Sequence, residues 1–128
     1  MGLDQYAYKR KVEWEDDYKT RILRDEQIMY WRKHNRLQGY MENLWHEDEE
    51  YGSAIFNGQD LYLRLDDILK LEEAITNKKL PETGGFFFGG DSYQDYKEWG
   101  YEESDLEFLK LAKQAIDDGY DVVYNCSW

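Results

Sequence analysis

Apolar and polar residues alternate at both ends of the chain, and this alternation predicts a strand at each end. The first strand covers residues 1–11 and sets Tyr6 and Tyr8 on the face opposite Leu3. The second covers residues 120–125. A period of two residues is typical of a strand with one buried face, so we expect both chain ends to belong to a sheet.

Two central segments instead show the 3.6-residue period of an amphipathic helix. His34 or Asn35 opens the first helix, whose apolar side chains recur at helical spacing: Leu37, Tyr40, Met41, Leu44 and Trp45. The second helix covers residues 65–75 and ends at residues 77–79. Its predicted inward side chains are Leu65, Ile68, Leu69 and Ile75.

A third helix is predicted near the C-terminus. Residues 104–107 have the form of a capping box, which marks a helix start, and Gly119 marks its end. The apolar side chains of this helix that we expect to face inward are Phe108, Leu109, Ala112, Ala115 and Ile116.

The remaining segments complete the predicted order of elements. Residues 60–63 read as a further strand, and residues 28–31 form an apolar run that fits either a strand or a helix. Residues 11–20 read as a loop or a frayed strand end. We therefore predict one α+β domain over residues 1–128, with a small antiparallel or mixed sheet that contains both terminal strands and about three helices packed on it.

Three consecutive phenylalanines, residues 86–88, stand between two glycine pairs and close to the only proline of the chain. Glycines allow sharp turns, and three large rings need an apolar environment. We expect this stretch to cross the core as a buried segment. The following aromatic and acidic stretch, residues 91–101, is expected to be a solvated loop.

The charge of the chain narrows the classes of partner. The formal net charge is −12, which opposes contact with nucleic acid phosphates. No apolar run reaches the length of a membrane span. The single cysteine allows no intrachain disulfide and suggests a reducing compartment, so we expect a cytoplasmic protein. The oligomeric state stays open, a homodimer included.

One basic segment departs from this acidic background. Residues 30–36 carry a charge of +3, whereas the rest of the chain carries −15. Cations and free backbone N–H groups at a helix start suit an anion. The candidate ligand-binding residues are Tyr30, Trp31, Arg32, Lys33, Asn35 and Arg36, together with Phe87 and Asp91 of the glycine-flanked stretch. In the competing interpretation these cations pair with acidic surface and Trp31 lies in the core.

Catalytic and metal chemistry find little support in the sequence. His34 and His46 are twelve residues apart, and Cys126 has no second cysteine with which to bind a metal. The paired acids Asp91 and Asp95 could serve an enzyme. We predict no cofactor and no metal, and we favour binding over catalysis.

Four landmarks together resemble a family of small uncharacterised proteins encoded largely by phages and prophages. They are the Met-Gly-Leu-Asp-x-Tyr start, Trp-Arg-Lys-x-Asn at residues 31–35, Gly-Phe-Phe-Phe-Gly at residues 85–89, and a C-terminal Ser-Trp. The family has Ser-Gly where this chain has Gly84-Gly85, and residues 93–99 match it more loosely. The resemblance implies no known activity, but it does imply a phage context, host cytoplasm, and the binding roles of host-directed or anti-defence proteins.

These observations lead to three functional hypotheses. The first is a non-enzymatic accessory protein that sequesters an anionic, nucleotide-like small molecule at the basic segment. The second is an inhibitor whose acidic surfaces, including residues 13–17, 47–50 and 102–107, cover a basic nucleic-acid-binding surface of a host protein. The third is an enzyme that uses Asp91 and Asp95.

Overall fold

The computed structural model describes residues 3–14, 20–47, 56–80 and 100–127, and for residues 12–14, 20–23 and 35 it describes the backbone only. The described elements are β1 (Asp4–Trp14), β2 (Thr20–Arg32), α1 (Asn35–Glu47), β3 (Asp60–Leu63), α2 (Leu65–Thr76), α3 (Tyr101–Asp117) and β4 (Asp121–Ser127).

The four strands form one open antiparallel sheet in the order β2-β1-β4-β3. The two terminal strands are therefore the central pair, with Ala7 opposite Tyr124 in the register. This confirms the predicted α+β class and the predicted place of both chain ends in the sheet. The β1–β2 pair continues past residue 10, where β1 leaves β4, as far as the pair Trp14 and Thr20.

All three described helices lie on one face of the sheet. That face presents Ala7, Trp31 and Tyr124, and the apolar sides of the helices complete the core above it. The buried helical side chains of this core include Leu37, Met41 and Trp45 from α1, Ile68, Leu71 and Ile75 from α2, and Phe108, Leu109 and Ala112 from α3.

The opposite face of the sheet carries the even-numbered residues of β1. Tyr6, Tyr8 and Arg10 alternate with the core residues, as strand geometry requires. Val123 is fully buried on this face, where it pairs with Tyr8 on one side and Tyr62 on the other. The sheet therefore has a helix-covered face and a second, aromatic and polar face.

Two alternatives that the sequence left open are decided by the structure: residues 28–31 are strand, and residues 11–14 continue β1 because it pairs with the long β2. Two predicted boundaries need correction. The third helix begins at Tyr101, three residues before the predicted capping box, and its N-cap is Gly100 with a φ of 77°. Strand β4 begins at Asp121, one residue later than predicted.

The inward face of α2 was also predicted incorrectly in part. Leu65 and Leu69 are 46% and 45% exposed, whereas Leu71 is buried with Ile68 and Ile75. The helix is rotated so that positions 68, 71 and 75 face the sheet, a spacing that satisfies the helical period as well as the predicted set does.

Candidate functional site

The basic segment runs from the end of β2 into the start of α1, and its side chains point in different directions. Tyr30 is 45% exposed and Arg32 and Lys33 are exposed, whereas Trp31 is buried in the core. The strand period explains the contrast between Tyr30 and Trp31, because consecutive residues face opposite sides of a sheet. These two rings therefore cannot line the same site.

Trp31 is fixed in the core by rings on both sides and by a hydrogen bond. It packs edge-on against Phe108 at 5.1 Å and lies 6.3 Å from the ring of Tyr124. Its indole Nε1 donates to the Asp105 carboxylate at 3.1 Å. Since Asp105 is only 1% exposed, this bond satisfies part of a buried negative charge.

His34 supplies a second donor to the same carboxylate. It precedes the first residue of α1, and its Nδ1 accepts the backbone N–H of Leu37 at 3.5 Å, as an N-cap side chain does. This contact places the ring proton on Nε2, which lies 2.8 Å from the Asp105 carboxylate and donates to it. Both ring nitrogens are thereby engaged inside the protein, so the geometry does not offer His34 to a substrate.

The junction between β2 and α1 is held from two further directions. Tyr101 stacks on the His34 ring with centroids 4.4 Å apart, and its hydroxyl donates to the backbone carbonyl of Arg32 at 2.6 Å. The backbone N–H of Lys33 donates to Leu3 at 2.8 Å. Lys33 itself has a φ of 55°. The backbone that carries Arg32 and Lys33 is thus fixed in place.

Of the remaining predicted ligand-binding residues, Arg36 alone has a described side chain, and that side chain does not join Arg32. Arg36 is buried and donates from Nη1 to the carbonyl of Leu80 at 2.9 Å. Asn35 begins α1, and its side chain is not described. Phe87, Asp91 and Asp95 lie outside the described residues, as does the predicted phenylalanine crossing.

A chain of buried polar side chains crosses the core below α1. Gln5 donates to the Tyr124 hydroxyl at 2.9 Å, and that hydroxyl donates to Gln38 at 2.6 Å. Gln38 in turn donates to the Cys126 sulfur at 3.4 Å. Burial is the main cause that raises the pKa of Tyr124 well above its ordinary value and the pKa of Cys126 to about 11. Cys126 is therefore a weak nucleophile at neutral pH.

On the sheet face opposite the described helices, three tyrosines form an aromatic surface, which we call the tyrosine platform: Tyr6 and Tyr8, which are partly buried, and Tyr30, which is exposed. The Tyr6 ring stacks near Tyr8 with centroids 6.3 Å apart and lies 5.3 Å from the ring of Tyr30. Tyr6 and Tyr30 are direct partners across β1 and β2. Rings held in this way present flat apolar area at low entropic cost on binding.

Arg32 lies at one end of the tyrosine platform. It follows Tyr30 by two residues and pairs with Asp4 across the sheet. The Tyr30 hydroxyl donates to Asp4 at 2.6 Å, and this hydrogen bond is the main cause that raises the pKa of Tyr30, while the nearby Arg32 charge opposes the rise. The platform thus combines planar apolar surface with a guanidinium group at its edge.

A polar network that we call the Arg10 network lies at the other end of this face. Arg10 makes two hydrogen bonds of 3.2 Å to the Asp25 carboxylate, and its Nη1 donates to Asp60 at 2.9 Å and to the Tyr62 hydroxyl at 3.0 Å. Asn125 donates to the second oxygen of Asp60 at 2.9 Å. The network joins all four strands, and its satisfied bonds indicate a structural role.

The sequence contained a signal for the tyrosine platform that the functional prediction did not use. Alternation in β1 already placed Tyr6 and Tyr8 on the face away from Leu3. What the sequence could not provide was the pairing of β1 with β2, which brings Tyr30 beside Tyr6. Asp105 was missed as well, since nothing in the sequence distinguishes it from the neighbouring surface acids.

Comparisons with known proteins return no match, whether to a family model, a curated protein or a solved structure. In the part of the chain that the structure describes, no helix is long and apolar enough to cross a membrane. Over the same residues, no group of three or more His, Cys, Asp or Glu side chains converges as it would around a metal ion.

Proposed function

We propose that the protein is a non-enzymatic binding protein that holds an anionic, nucleotide-like small molecule on the tyrosine platform, with Arg32 contacting the anionic group. The supporting observation is the tyrosine platform itself: the partly buried Tyr6 and the exposed Tyr30 lie side by side on the sheet face opposite the described helices, next to a guanidinium on a fixed backbone. The proposal keeps Tyr30, Arg32 and Lys33 from the sequence prediction and adds Tyr6 and Tyr8.

The chemistry of a nucleotide fits this surface in two ways. A base stacked on an aromatic side chain gains about 1–3 kcal/mol, and the gain is similar for every base because each has a π-face. A guanidinium adds charge-assisted hydrogen bonds to a phosphate group. Stacking supplies affinity in this arrangement, and Arg32 supplies the preference for an anion.

The net charge of −12 sets an upper limit on the size of the ligand. A mononucleotide or cyclic dinucleotide carries few charges and can be held by local cations. A long nucleic acid would place many phosphates near the acidic remainder of the chain and be repelled. The proposal is therefore for a small molecule, and the phage context implied by the sequence resemblance would make sequestration of a nucleotide signal its purpose.

Isothermal titration calorimetry against mononucleotides, cyclic dinucleotides, the uncharged nucleosides and inorganic phosphate tests the proposal. A nucleotide should bind more tightly than its nucleoside or phosphate alone. Arg32→Gln should weaken nucleotide binding about tenfold and leave nucleoside binding unchanged, because one charge-assisted contact is lost. Tyr30→Asn should weaken both.

Arg24→Gln is the matched control, since Arg24 is an exposed arginine of the same strand and hydrogen-bonds Tyr120 instead of lying beside Tyr30. It should leave nucleotide affinity unchanged. Absence of heat with every nucleotide would overturn the proposal, and so would equal losses from Arg24→Gln and Arg32→Gln.

A further inference from the structure

The outer surface of α2 and α3 combines exposed leucines with a strong negative charge. Leu65, Leu69 and Leu106 are each nearly half exposed, and among the described residues the only other large hydrophobic side chain of this kind is Tyr30, on the opposite side of the sheet. Exposed apolar area concentrated on one layer is typical of an interaction surface.

An open groove with a volume of 540 Å³ lies along α3 in this layer. Its lining includes Leu106, Leu109, Lys110, Lys113 and Gln114, which recur at helical spacing, and Glu72 of α2 on the opposite side. Lys113 pairs with Glu72, so that lysine's charge is offset within the protein. The 17 residues of α3 extend over about 25 Å, enough to lie beside a partner helix of four to five turns.

The groove lining carries two carboxylates, Glu72 and Asp117, and two lysines, Lys110 and Lys113, so the charge of the wider layer decides which partner fits it. Outside the core, α2 and α3 carry eight carboxylates and three lysines, because Asp105, the ninth acid of the two helices, is buried. A second copy of the chain would bring the same negative surface to the contact and be repelled. A nucleic acid is disfavoured for the same reason.

We propose that the α2–α3 groove binds a basic amphipathic helical segment of a partner protein. The apolar side of that segment covers Leu106 and Leu109 of the groove lining, and its lysines or arginines meet exposed carboxylates of the same helix, including Glu103 and Glu107, which lie within one turn of Leu106. Helix-in-groove recognition of this type depends on apolar anchors at helical spacing. The inference is independent of the nucleotide proposal, since it concerns the other face of the molecule.

A synthetic peptide tests this directly. The probe is a fluorescent 18-residue helix of leucine and lysine with the leucines on one side, compared with a scrambled peptide of identical composition and with a leucine–glutamate counterpart. Fluorescence anisotropy should show saturable binding of the first peptide, at least tenfold weaker binding of the scrambled one, and none of the acidic one. Leu106→Asn should weaken the first peptide about tenfold.

Tyr30→Asn is the matched control, because Tyr30 is as exposed as Leu106 but lies on the opposite side of the sheet. It should leave peptide affinity unchanged while weakening nucleotide binding, which separates the two proposals. Equal binding of the scrambled peptide, or no effect of Leu106→Asn, would overturn the inference. So would light scattering that shows a dimer dissociated by Leu106→Asn, since a second copy would then cover the groove.

Discussion

At the scale of single residues, His34 performs two structural tasks at once. Its Nδ1 caps α1 and its Nε2 donates to Asp105, which is also bonded by Trp31. The carboxylate is almost fully buried, so its oxygens depend on these donors for their hydrogen bonds. The prediction that His34 or Asn35 opens α1 agrees with this capping contact, and both nitrogens of the His34 ring are committed to the fold.

Replacement of His34 should lower the free energy of unfolding, because both of these contacts are lost. We expect His34→Ala to lower the free energy of unfolding by about 3–5 kcal/mol, because a buried carboxylate loses a donor and a helix loses its cap. His34→Asn should recover about 1 kcal/mol of this loss, since asparagine is a good N-cap residue. Urea denaturation of the three proteins measures both differences; equal stability of the two variants would contradict the capping role.

Cys126 should react slowly with alkylating reagents in the native protein. Its pKa of about 11, raised mainly by burial from 9.0, leaves roughly a hundredfold less thiolate at pH 8 than in the unfolded chain. Alkylation by iodoacetamide at pH 8 should therefore be at least about a hundredfold slower in native protein than in urea. Rapid labelling under native conditions would show that the sulfur is accessible and that the buried chain through Gln38 is open.

At the scale of elements, the Arg10 network determines how the four strands are held together. The guanidinium is 7% exposed, whereas its partners Asp25 and Asp60 are 36% and 40% exposed. Its hydrogen bonds reach β2 and β3, which lie at opposite edges of the sheet. The two edge strands are thereby joined across the central pair.

Loss of Arg10 should destabilise the protein less than loss of a fully buried ion pair would. We expect Arg10→Met to cost about 2 kcal/mol, below the ~3–5 kcal/mol typical of buried pairs, because water can solvate the two half-exposed carboxylates. Arg24→Gln, at an exposed position that pairs with Glu26 at 3.7 Å, should cost under about 0.5 kcal/mol. Thermal unfolding followed by circular dichroism compares the two, and equal losses would contradict the linking role of Arg10.

Sequence patterns predicted most elements because one-sided burial leaves a clear period. The alternation in β1 and the spacing of Leu37, Met41 and Trp45 in α1 are of this kind. The patterns failed where two sets of positions satisfy the same period, as with Leu69 and Leu71 in α2. They also failed at α3, where the glycine before the helix, with its left-handed backbone, replaced the expected Ser104 cap.

The candidate site was harder to predict than the elements, for a physical reason. A ligand surface depends on which strands are neighbours, and strand order is not encoded in local periodicity. The pairing of β1 with β2 places Tyr6 beside Tyr30, while the alternation within β2 sends Trp31 to the core. The basic segment was a single unit in the sequence, but it is divided between the surface and the interior.

At the scale of the whole molecule, the buried polar chain below α1 should make the free energy of unfolding decrease at alkaline pH. The folded protein raises the pKa of Cys126 to about 11 and that of Tyr124 well above its ordinary value, in both cases chiefly by burial. Both groups are neutral when protonated, and folding favours that neutral form. Their contribution is therefore fully present below the unfolded-state pKa values and is lost as pH rises through the folded ones.

We accordingly expect the free energy of unfolding to fall between about pH 9 and pH 11, by an amount on the order of 2 kcal/mol from Cys126. Cys126→Ala should remove that part of the dependence, because alanine does not titrate, and should leave the part due to Tyr124. Urea denaturation of both proteins at intervals from pH 7 to pH 11 measures the two slopes. Identical slopes would mean that the Cys126 thiol ionises as easily in the folded protein as in the unfolded one, and that Gln38 and the helix above it do not keep water from the sulfur.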